Sequence, residues 1–237
     1  MRAIDRYDAL LFDVQLTLAF GGDRFGEHED YFTTYAALGG SGLSPHAVNR
    51  AVRACVDHLW PLYNDTSHYD DFPGLAQGFA AACPDLRLDE TQLRLLERTL
   101  AEHERGFVPQ GHARALHALA ATHRLGVVSN IWAHKQTWLD DFQAKGVLHL
   151  FEVLVFSSDT RSIKPSPLLF QEALRLLELD ASRVLFVGDS MERDMAPAKA
   201  LGMGAALVLN GNDPPEASDP RPDYLLASVP DLVHLAG

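Results

Sequence analysis

Five short apolar runs recur along the chain, and each is nearly continuous instead of alternating with polar residues. Strands that are covered on both faces of a sheet have this pattern. The runs lie at residues 8–14, 124–130, 151–157, 183–189 and 204–210, with a weaker sixth at 223–227. From residue 111 onward they alternate with amphipathic stretches, which is typical of a parallel sheet built from right-handed crossovers. We therefore predict an α/β fold with a parallel sheet.

The alternation stops between the first run and the second. Residues 19–108 contain several helical patterns and no good strand. Ser44-Pro45 and Asp89-Glu90 supply the signals expected where helices begin. A connection this long and this helical is better described as an inserted subdomain than as a loop. The predicted division is a core at 1–18 and 109–237 and a helical subdomain at 19–108.

The formal net charge is −12 over 237 residues, and no long basic run is present. This balance argues against binding to nucleic acid or to an anionic membrane surface. The chain shows no signal-peptide pattern and no stretch that resembles a membrane span, so we expect a cytoplasmic protein. Cys55 and Cys83 fit neither a metal site nor a disulfide framework, and we expect two buried, reduced thiols.

Polar residues follow four of the predicted strands: Asp13, Ser129-Asn130, the loop that ends in Lys164, and Asp189. In an open parallel sheet, ligands bind beyond the carboxyl ends of the strands. A carboxylate there can attack a phosphoryl group and form an aspartyl phosphate. A Mg²⁺ ion held by carboxylates offsets the charge of nucleophile and substrate, and a lysine adds a further positive charge. The set therefore points to displacement at phosphorus.

Four segments carry a resemblance to a known family. They read "FDVQLTL", "GVVSN", "KPSPLLF" and "VGDSMERDMAPAKALGM". In this order they are similar to the four motifs of the haloacid dehalogenase-like hydrolase superfamily, and the helical insert after the first motif resembles its commonest type of cap. The resemblance implies a Rossmann-like core with an α-helical cap.

The resemblance also implies roles for individual residues. Asp13 would be the nucleophile and Lys164 its electrostatic stabiliser. Thr17 and Ser129 would bind phosphate oxygens, with Asn130 beside them on the substrate side.

A Mg²⁺ site is implied by the same motifs. Asp13, the main-chain carbonyl of Gln15, and Asp189 would ligate the ion, and Asp194 would hold a metal-bound water or Lys164.

Gln15 departs from the family pattern. Phosphatases of the superfamily carry a second aspartate there, which protonates the leaving alkoxide and then activates water. An amide cannot carry that proton, and loss of a general acid or base costs about 10²–10⁴-fold in rate. The metal site loses nothing, because it uses the main-chain carbonyl. Leu16 is a milder departure, since Gly or Asn is common at that position.

Three functions remain compatible with the sequence. The first is a Mg²⁺-dependent phosphatase or phosphotransferase that acts on a small phosphorylated metabolite. Its substrate would have a leaving group that departs without a proton, or another residue would protonate the leaving group. Asp23, Glu27 and His28 lie near the start of the insert and are candidates for that acid.

The second function is a metal-independent hydrolase of carbon–halogen bonds, of the 2-haloacid dehalogenase type, since a halide leaves without a proton. It needs an arginine for the substrate carboxylate, and Arg24, Arg50 or Arg53 are candidates, but the metal-ligand Asp189 argues against it. The third is a catalytically weak member that binds a ligand or a partner. The aromatic segment 58–74 either lines the substrate pocket or only connects two helices, and Trp132 is placed to face the same crevice.

Overall fold

The computed structural model describes residues 2–215 and 220–235. Within them, six strands form one parallel sheet in the order β3-β2-β1-β4-β5-β6. The strands are β1 (Ala9–Phe12), β2 (Arg124–Ser129), β3 (Phe151–Phe156), β4 (Val184–Gly188), β5 (Gly204–Val208) and β6 (Tyr224–Leu226). Each predicted run contains one of them, so the predicted parallel α/β fold is confirmed. Residues 1, 216–219 and 236–237 of the predicted core lie outside the described residues.

The order of the strands places a reversal point at β1. The chain builds outward from β1 through β2 to β3, then returns to the other side of β1 with β4. Phe12 at the end of β1 pairs with Val127 on one side and with Val187 on the other. Ligands bind at such switch points, beyond the carboxyl ends of the strands. Asp13 and Asp189 directly follow β1 and β4, so they stand beside each other at this point.

Four α-helices lie within residues 19–108, the segment predicted as an insert. They are α1 (Tyr31–Ala37), α2 (Pro45–Tyr63), α3 (Leu75–Ala82) and α4 (Glu90–Glu104). Ser44 and Asp89 cap α2 and α4 through their side chains, which confirms the predicted helix starts. The four helices share an apolar core of their own, into which Ala133 and Ile163 of the sheet region also pack. We infer that residues 19–108 form a cap subdomain.

The remaining helices cover both faces of the sheet. They are α5 (Gln110–Ala120), α6 (Gln136–Ala144), α7 (Ser157–Thr160), α8 (Pro167–Leu177) and α9 (Ala196–Ala200), with a π-helical turn at Met191–Met195 before α9. Trp138 and Phe142 of α6 are fully buried in the core of one face. On the other face Phe170 of α8 packs against Phe186 of β4, with ring centroids 4.8 Å apart. Burial of each such ring stabilises the fold by about 1.5–3 kcal/mol.

The two linkers of the insert run side by side. The main-chain N–H of Phe20 donates to Phe107 O, and that of Phe107 donates to Phe20 O, both at 3.0 Å. A Cβ atom on Gly106 would lie 2.6 Å from Phe20 O, so this approach requires glycine. The chain therefore enters and leaves the insert at adjacent points.

Two further expectations concern the whole chain. Cys55 and Cys83 are buried free thiols, and burial raises the pKa of Cys55 to about 12. Among the described helices, none is long and apolar enough to cross a bilayer.

Candidate active site

Asp13 stands at the centre of the candidate site. Its main-chain N–H donates to Val187 O of β4 at 2.9 Å, which extends the backbone ladder by one residue. The side chain lines a cavity, although Asp13 is only 7% exposed. Ser129 Oγ donates to Asp13 Oδ1 at 2.8 Å, and Lys164 Nζ donates to the same oxygen at 2.7 Å. Within residues 2–215 and 220–235 these are its side-chain donors, and Oδ2 has no protein partner.

Lys164 joins two carboxylates in the lining of the cavity. Its Nζ lies 2.7 Å from Asp13 Oδ1 and 2.5 Å from Asp194 Oδ1, and the residue is 2% exposed. Burial opposes the charge of the ammonium, but the two carboxylates outweigh it and raise the pKa of Lys164. Asn130 fixes the lysine main chain, since Asn130 Oδ1 accepts from Lys164 N at 2.7 Å and Asn130 Nδ2 donates to Lys164 O at 3.0 Å.

Asp194 is held by both of its oxygens. Oδ1 accepts from Lys164, and Oδ2 accepts from the main-chain N–H of Ser190 at 3.0 Å. Gly188 makes room for this carboxylate, because a Cβ there would lie 2.4 Å from Asp194 Oδ2. Burial raises the pKa of Asp194 to about 6, and the neighbouring Asp13 also raises it. The contact with Lys164 is one of the two predicted for Asp194.

The carboxylates of the site suit a divalent cation. Asp13, Asp189 and Asp194 each offer an oxygen, and these oxygens lie within 4.8 Å of one another. Burial, and then repulsion from Asp13 and Asp194, raises the pKa of Asp189 to about 7. Neighbouring carboxylates repel one another, and a bound divalent cation offsets this repulsion. Mg²⁺ prefers oxygen ligands. The donor set therefore fits Mg²⁺.

Gln15 turns its side chain toward the two linkers of the insert. Its Nε2 donates to Glu104 O at 2.7 Å and to Asp23 Oδ1 at 3.0 Å. A carbonyl oxygen can only accept, so this contact fixes which end of the amide points there. Asp23 is open to the cavity, yet burial among the cavity walls and then the charge of Asp13 raise its pKa to about 6.

Leu16 lies in a tight turn that follows Asp13. Leu16 has φ of +55°, a left-handed conformation that glycine and asparagine adopt more easily. The turn closes through Leu16 N to Ala19 O at 2.9 Å, and it buries Thr17 completely. Among the described residues Thr17 Oγ1 has no hydrogen-bond partner. Thr17 and Ser129 are both fully buried beneath the cavity and do not line it.

The cavity above Asp13 has a volume of about 530 Å³. Its lining combines the charged groups described above with four aromatic residues. The lining residues are Asp13, Gln15, Leu16, Asp23, Phe25, Val56, Trp60, Tyr63, Glu104, Asn130, Trp132, Lys164, Asp189, Ser190, Arg193 and Asp194. Trp132 faces the cavity, as predicted, and Trp60 and Tyr63 show that segment 58–74 contributes to its lining.

Several sequence candidates lie away from the cavity. Arg50 pairs with Asp85 at 2.7 Å, and Arg53 donates to Glu29 O. Arg24 donates to Glu102 O, and none of these three arginines lines the cavity. Of the three candidate acids, Asp23 lines the cavity, whereas Glu27 and His28 do not.

Two residues that were not predicted from the sequence shape the site. Arg193 lies between Asp189 and Asp194 in the fourth motif; it donates to Lys164 O at 2.6 Å and to Tyr63 O at 2.9 Å. Glu104 ends α4, and its carboxylate accepts from the main-chain N–H groups of Trp132 and Ala133 at 2.6 and 3.1 Å. Nothing local marked Glu104, because its partners lie almost thirty residues away.

Comparisons with known proteins show which family this sequence resembles. A family model described as "HAD-hyrolase-like" matches residues 163–232. Haloacid dehalogenase-like hydrolase domain-containing protein 3 of Danio rerio is 27% identical over 233 residues, which covers 94% of this chain and 93% of that protein. Pyrophosphatase PpaX of Halalkalibacterium halodurans is 26% identical over 170 residues, 70% of this chain and 76% of its own length.

A solved structure extends the likeness to the whole fold. The 2-haloacid dehalogenase of Pseudomonas syringae pv. Tomato superposes with a TM-score of 0.65 at 22% identity, over 97% of each chain. At this identity the likeness concerns the fold. With the family match, the full-length relative and the four motifs gathered at one sheet edge, the chain belongs to the haloacid dehalogenase-like hydrolase superfamily.

Proposed function

We propose that this protein is a Mg²⁺-dependent phosphatase or phosphotransferase that uses Asp13 as its nucleophile and acts on a small phosphorylated metabolite. One observation carries the proposal: Asp13 borders the cavity with Oδ1 bound by Lys164 and Ser129, while Asp189 and Asp194 offer oxygens close by. The phosphatase activity named for the PpaX relative supports it.

The residues of the chain divide the work as follows. Asp13 Oδ2 forms a bond to phosphorus while the bond to the leaving oxygen breaks, and the leaving group departs with the electron pair. Lys164 stays paired to Oδ1 and reduces the negative charge that phosphate meets. Ser129 holds the same oxygen, which restricts the rotation of the carboxylate. Water or an acceptor alcohol then takes the phosphoryl group and restores Asp13.

Asp13, Asp189 and the main-chain carbonyl of Gln15 are the residues proposed to hold Mg²⁺. When bound, the ion neutralises charge on the phosphoryl oxygens. Thr17 and Asn130 are the less direct members of the proposed substrate site. Thr17 is buried beneath the cavity, and Asn130 has both ends of its amide engaged by Lys164.

A 2-haloacid dehalogenase reaction is the alternative. It requires a cation for the substrate carboxylate, and the arginines predicted for that role lie outside the cavity. Arg193 does line it, but its guanidinium donates to Lys164 O, Tyr63 O and Asn64 Oδ1. The arrangement therefore favours attack on phosphorus over attack on carbon.

The test measures phosphate release from acetyl phosphate, which needs no acid because its leaving group is a carboxylate. We expect turnover with Mg²⁺, loss of it with EDTA, and loss of it in Asp13→Asn. A binding readout accompanies this: Mg²⁺ should raise the melting temperature of the native protein and not that of Asp189→Asn. Chloride release from 2-chloropropionate that EDTA does not affect would overturn the proposal in favour of the dehalogenase. Absence of turnover on either substrate would leave the binding role.

A further inference from the structure

We propose that the group released from phosphate is a flat aromatic alcohol, so that the preferred substrate is an aryl phosphate monoester. This rests on the proposed function, since it names the substrate class of the same site. Three features of the described residues lead to it: the aromatic part of the cavity lining, the engagement of both cations in that lining, and the amide of Gln15 two residues after Asp13, which cannot carry a proton.

Four aromatic rings from three separate segments line the cavity together with Asp13. Trp132 lies at the centre, with its ring centroid 6.3 Å from that of Phe25, 6.2 Å from that of Trp60 and 5.8 Å from that of Tyr63. The planes of Trp132 and Phe25 differ by 12°. Trp60 remains 59% exposed although it is a large apolar side chain. Phe25, Tyr63 and Trp132 are partly buried, so Trp60 is the exposed ring of this group. Aromatic residues that line a concave site are typical of a surface that a ligand covers.

The cations of the cavity are already engaged. Lys164 is shared between Asp13 and Asp194. Arg193 bonds to three oxygens, and its Cζ lies 3.8 Å from the ring centroid of Tyr63. Within the described chain the cavity lining contains no other lysine or arginine. A second phosphate or a carboxylate on the leaving group would therefore meet carboxylates and rings without a counter-charge.

Two polar residues of the lining that adjoin the rings, Asn130 and Glu104, are also engaged. Asn130 Nδ2 donates to the Tyr63 hydroxyl at 3.0 Å, and the rest of its amide holds Lys164. The Glu104 carboxylate accepts from two main-chain N–H groups. A sugar that entered this space would lose hydrogen bonds to water without replacing them, which disfavours its binding. A flat apolar group has no such hydrogen bonds to lose.

The third feature concerns the proton. Gln15 lies two residues after Asp13, and its amide donates to Asp23 Oδ1 and to Glu104 O, so this side chain has no proton to give to the leaving group. An alkoxide leaves poorly without an acid, because its conjugate acid is about as weak as water, with a pKa of ~15.7. A phenol resembles tyrosine, with a pKa of ~10. In the proposed step the Asp13 oxygen bonds to phosphorus, the bond from phosphorus to the aryl oxygen breaks, and the phenolate takes the electron pair and later a solvent proton. Water then attacks phosphorus and releases phosphate and Asp13.

The first experiment compares substrates on the native protein with Mg²⁺. We expect kcat/KM for 2-naphthyl phosphate to exceed that for glucose 6-phosphate by about 10²–10⁴-fold, the range lost without a general acid. In the Asp13→Asn variant with Mg²⁺, calorimetry should find 2-naphthyl phosphate bound more tightly than inorganic phosphate. If acetyl phosphate is hydrolysed and glucose 6-phosphate is turned over as well as the naphthyl ester, the inference fails while the proposed function stands. If none of the three is hydrolysed, the proposed function fails.

The second experiment separates aromatic contact from leaving-group acidity. Trp60→Ala should lower the ratio of naphthyl to acetyl phosphate turnover by about tenfold, and Trp60→Phe should restore most of it, because it keeps a ring. The exposure of Trp60 makes both variants compatible with folding. An unchanged ratio in Trp60→Ala would overturn the aromatic assignment.

Discussion

The Gln15 amide donates to the Asp23 carboxylate at 3.0 Å, and the same nitrogen donates to Glu104 O at 2.7 Å. One side chain close to Asp13 thus contacts residues near the start and near the end of the insert. Gln15 thereby connects the turn after Asp13 to the insert.

The first prediction compares two variants of Gln15. Gln15→Asp and Gln15→Asn shorten the side chain equally, but only aspartate can carry a proton. We expect kcat on glycerol phosphate to be about 10²-fold higher in Gln15→Asp than in Gln15→Asn. Acetyl phosphate, which needs no acid, serves as the control and should show little difference. Equal rates on glycerol phosphate would show that the missing acid is not what limits the reaction.

The second prediction concerns the charge of Lys164. Lys164→Met leaves Asp13 and Asp194 buried without their cation, and breaking a buried pair in this way costs about 3–5 kcal/mol. The free energy of unfolding in urea measures the loss. Lys135→Met is the matched control, since Lys135 pairs with Asp159 on the surface and such pairs contribute about 0–1 kcal/mol. Similar losses in the two variants would contradict the buried network.

The third prediction uses the space at Gly188. A methyl group in Gly188→Ala would lie 2.4 Å from Asp194 Oδ2, so that carboxylate must move away from Lys164. We expect lower stability and loss of phosphate release. Gly111→Ala provides the comparison, because a Cβ there meets nothing within 4 Å and Gly111 lies in α5. That variant should gain up to about 1 kcal/mol from helix propensity. Full activity in Gly188→Ala would mean that Asp194 is not needed where it lies.

The fourth prediction concerns the left-handed turn at Leu16. A residue such as leucine is disfavoured by about 1–2 kcal/mol in this conformation, whereas asparagine adopts it more readily. Leu16→Asn should therefore raise the free energy of unfolding by about 1 kcal/mol. Leu225→Asn is the control, since Leu225 is similarly exposed but lies in the extended strand β6. A loss of stability in Leu16→Asn would show that packing of the leucine outweighs the strain.

The parts of the fold that depend on local pattern could be predicted from the sequence. Apolar runs gave the strands, and Ser44 and Asp89 marked helix starts, because these signals lie within a few residues of one another. The gathering of Asp13 and Asp189 followed from sheet topology alone. The engagement of Gln15 with Glu104 could not be predicted, since it joins positions 89 residues apart.

The chemistry of the site could likewise be predicted only in part. Residue types predicted a nucleophile, a lysine and a metal site, but not that Ser129 donates to Asp13 or that Thr17 is buried beneath the cavity. The contact between Trp132 and Trp60 depends on how the insert packs against the sheet region. The spacing of residues in the sequence does not specify that packing.

The backbone pair between Phe20 and Phe107 has an evolutionary consequence. Because the insert begins and ends at one place, a longer or shorter segment can replace it without changing the path of the chain through the sheet, and closing a longer loop adds little free energy. Selection can therefore alter the rings that the insert contributes to the cavity while Asp13 and Lys164 stay unchanged. New substrates become accessible to this lineage without a new reaction having to arise.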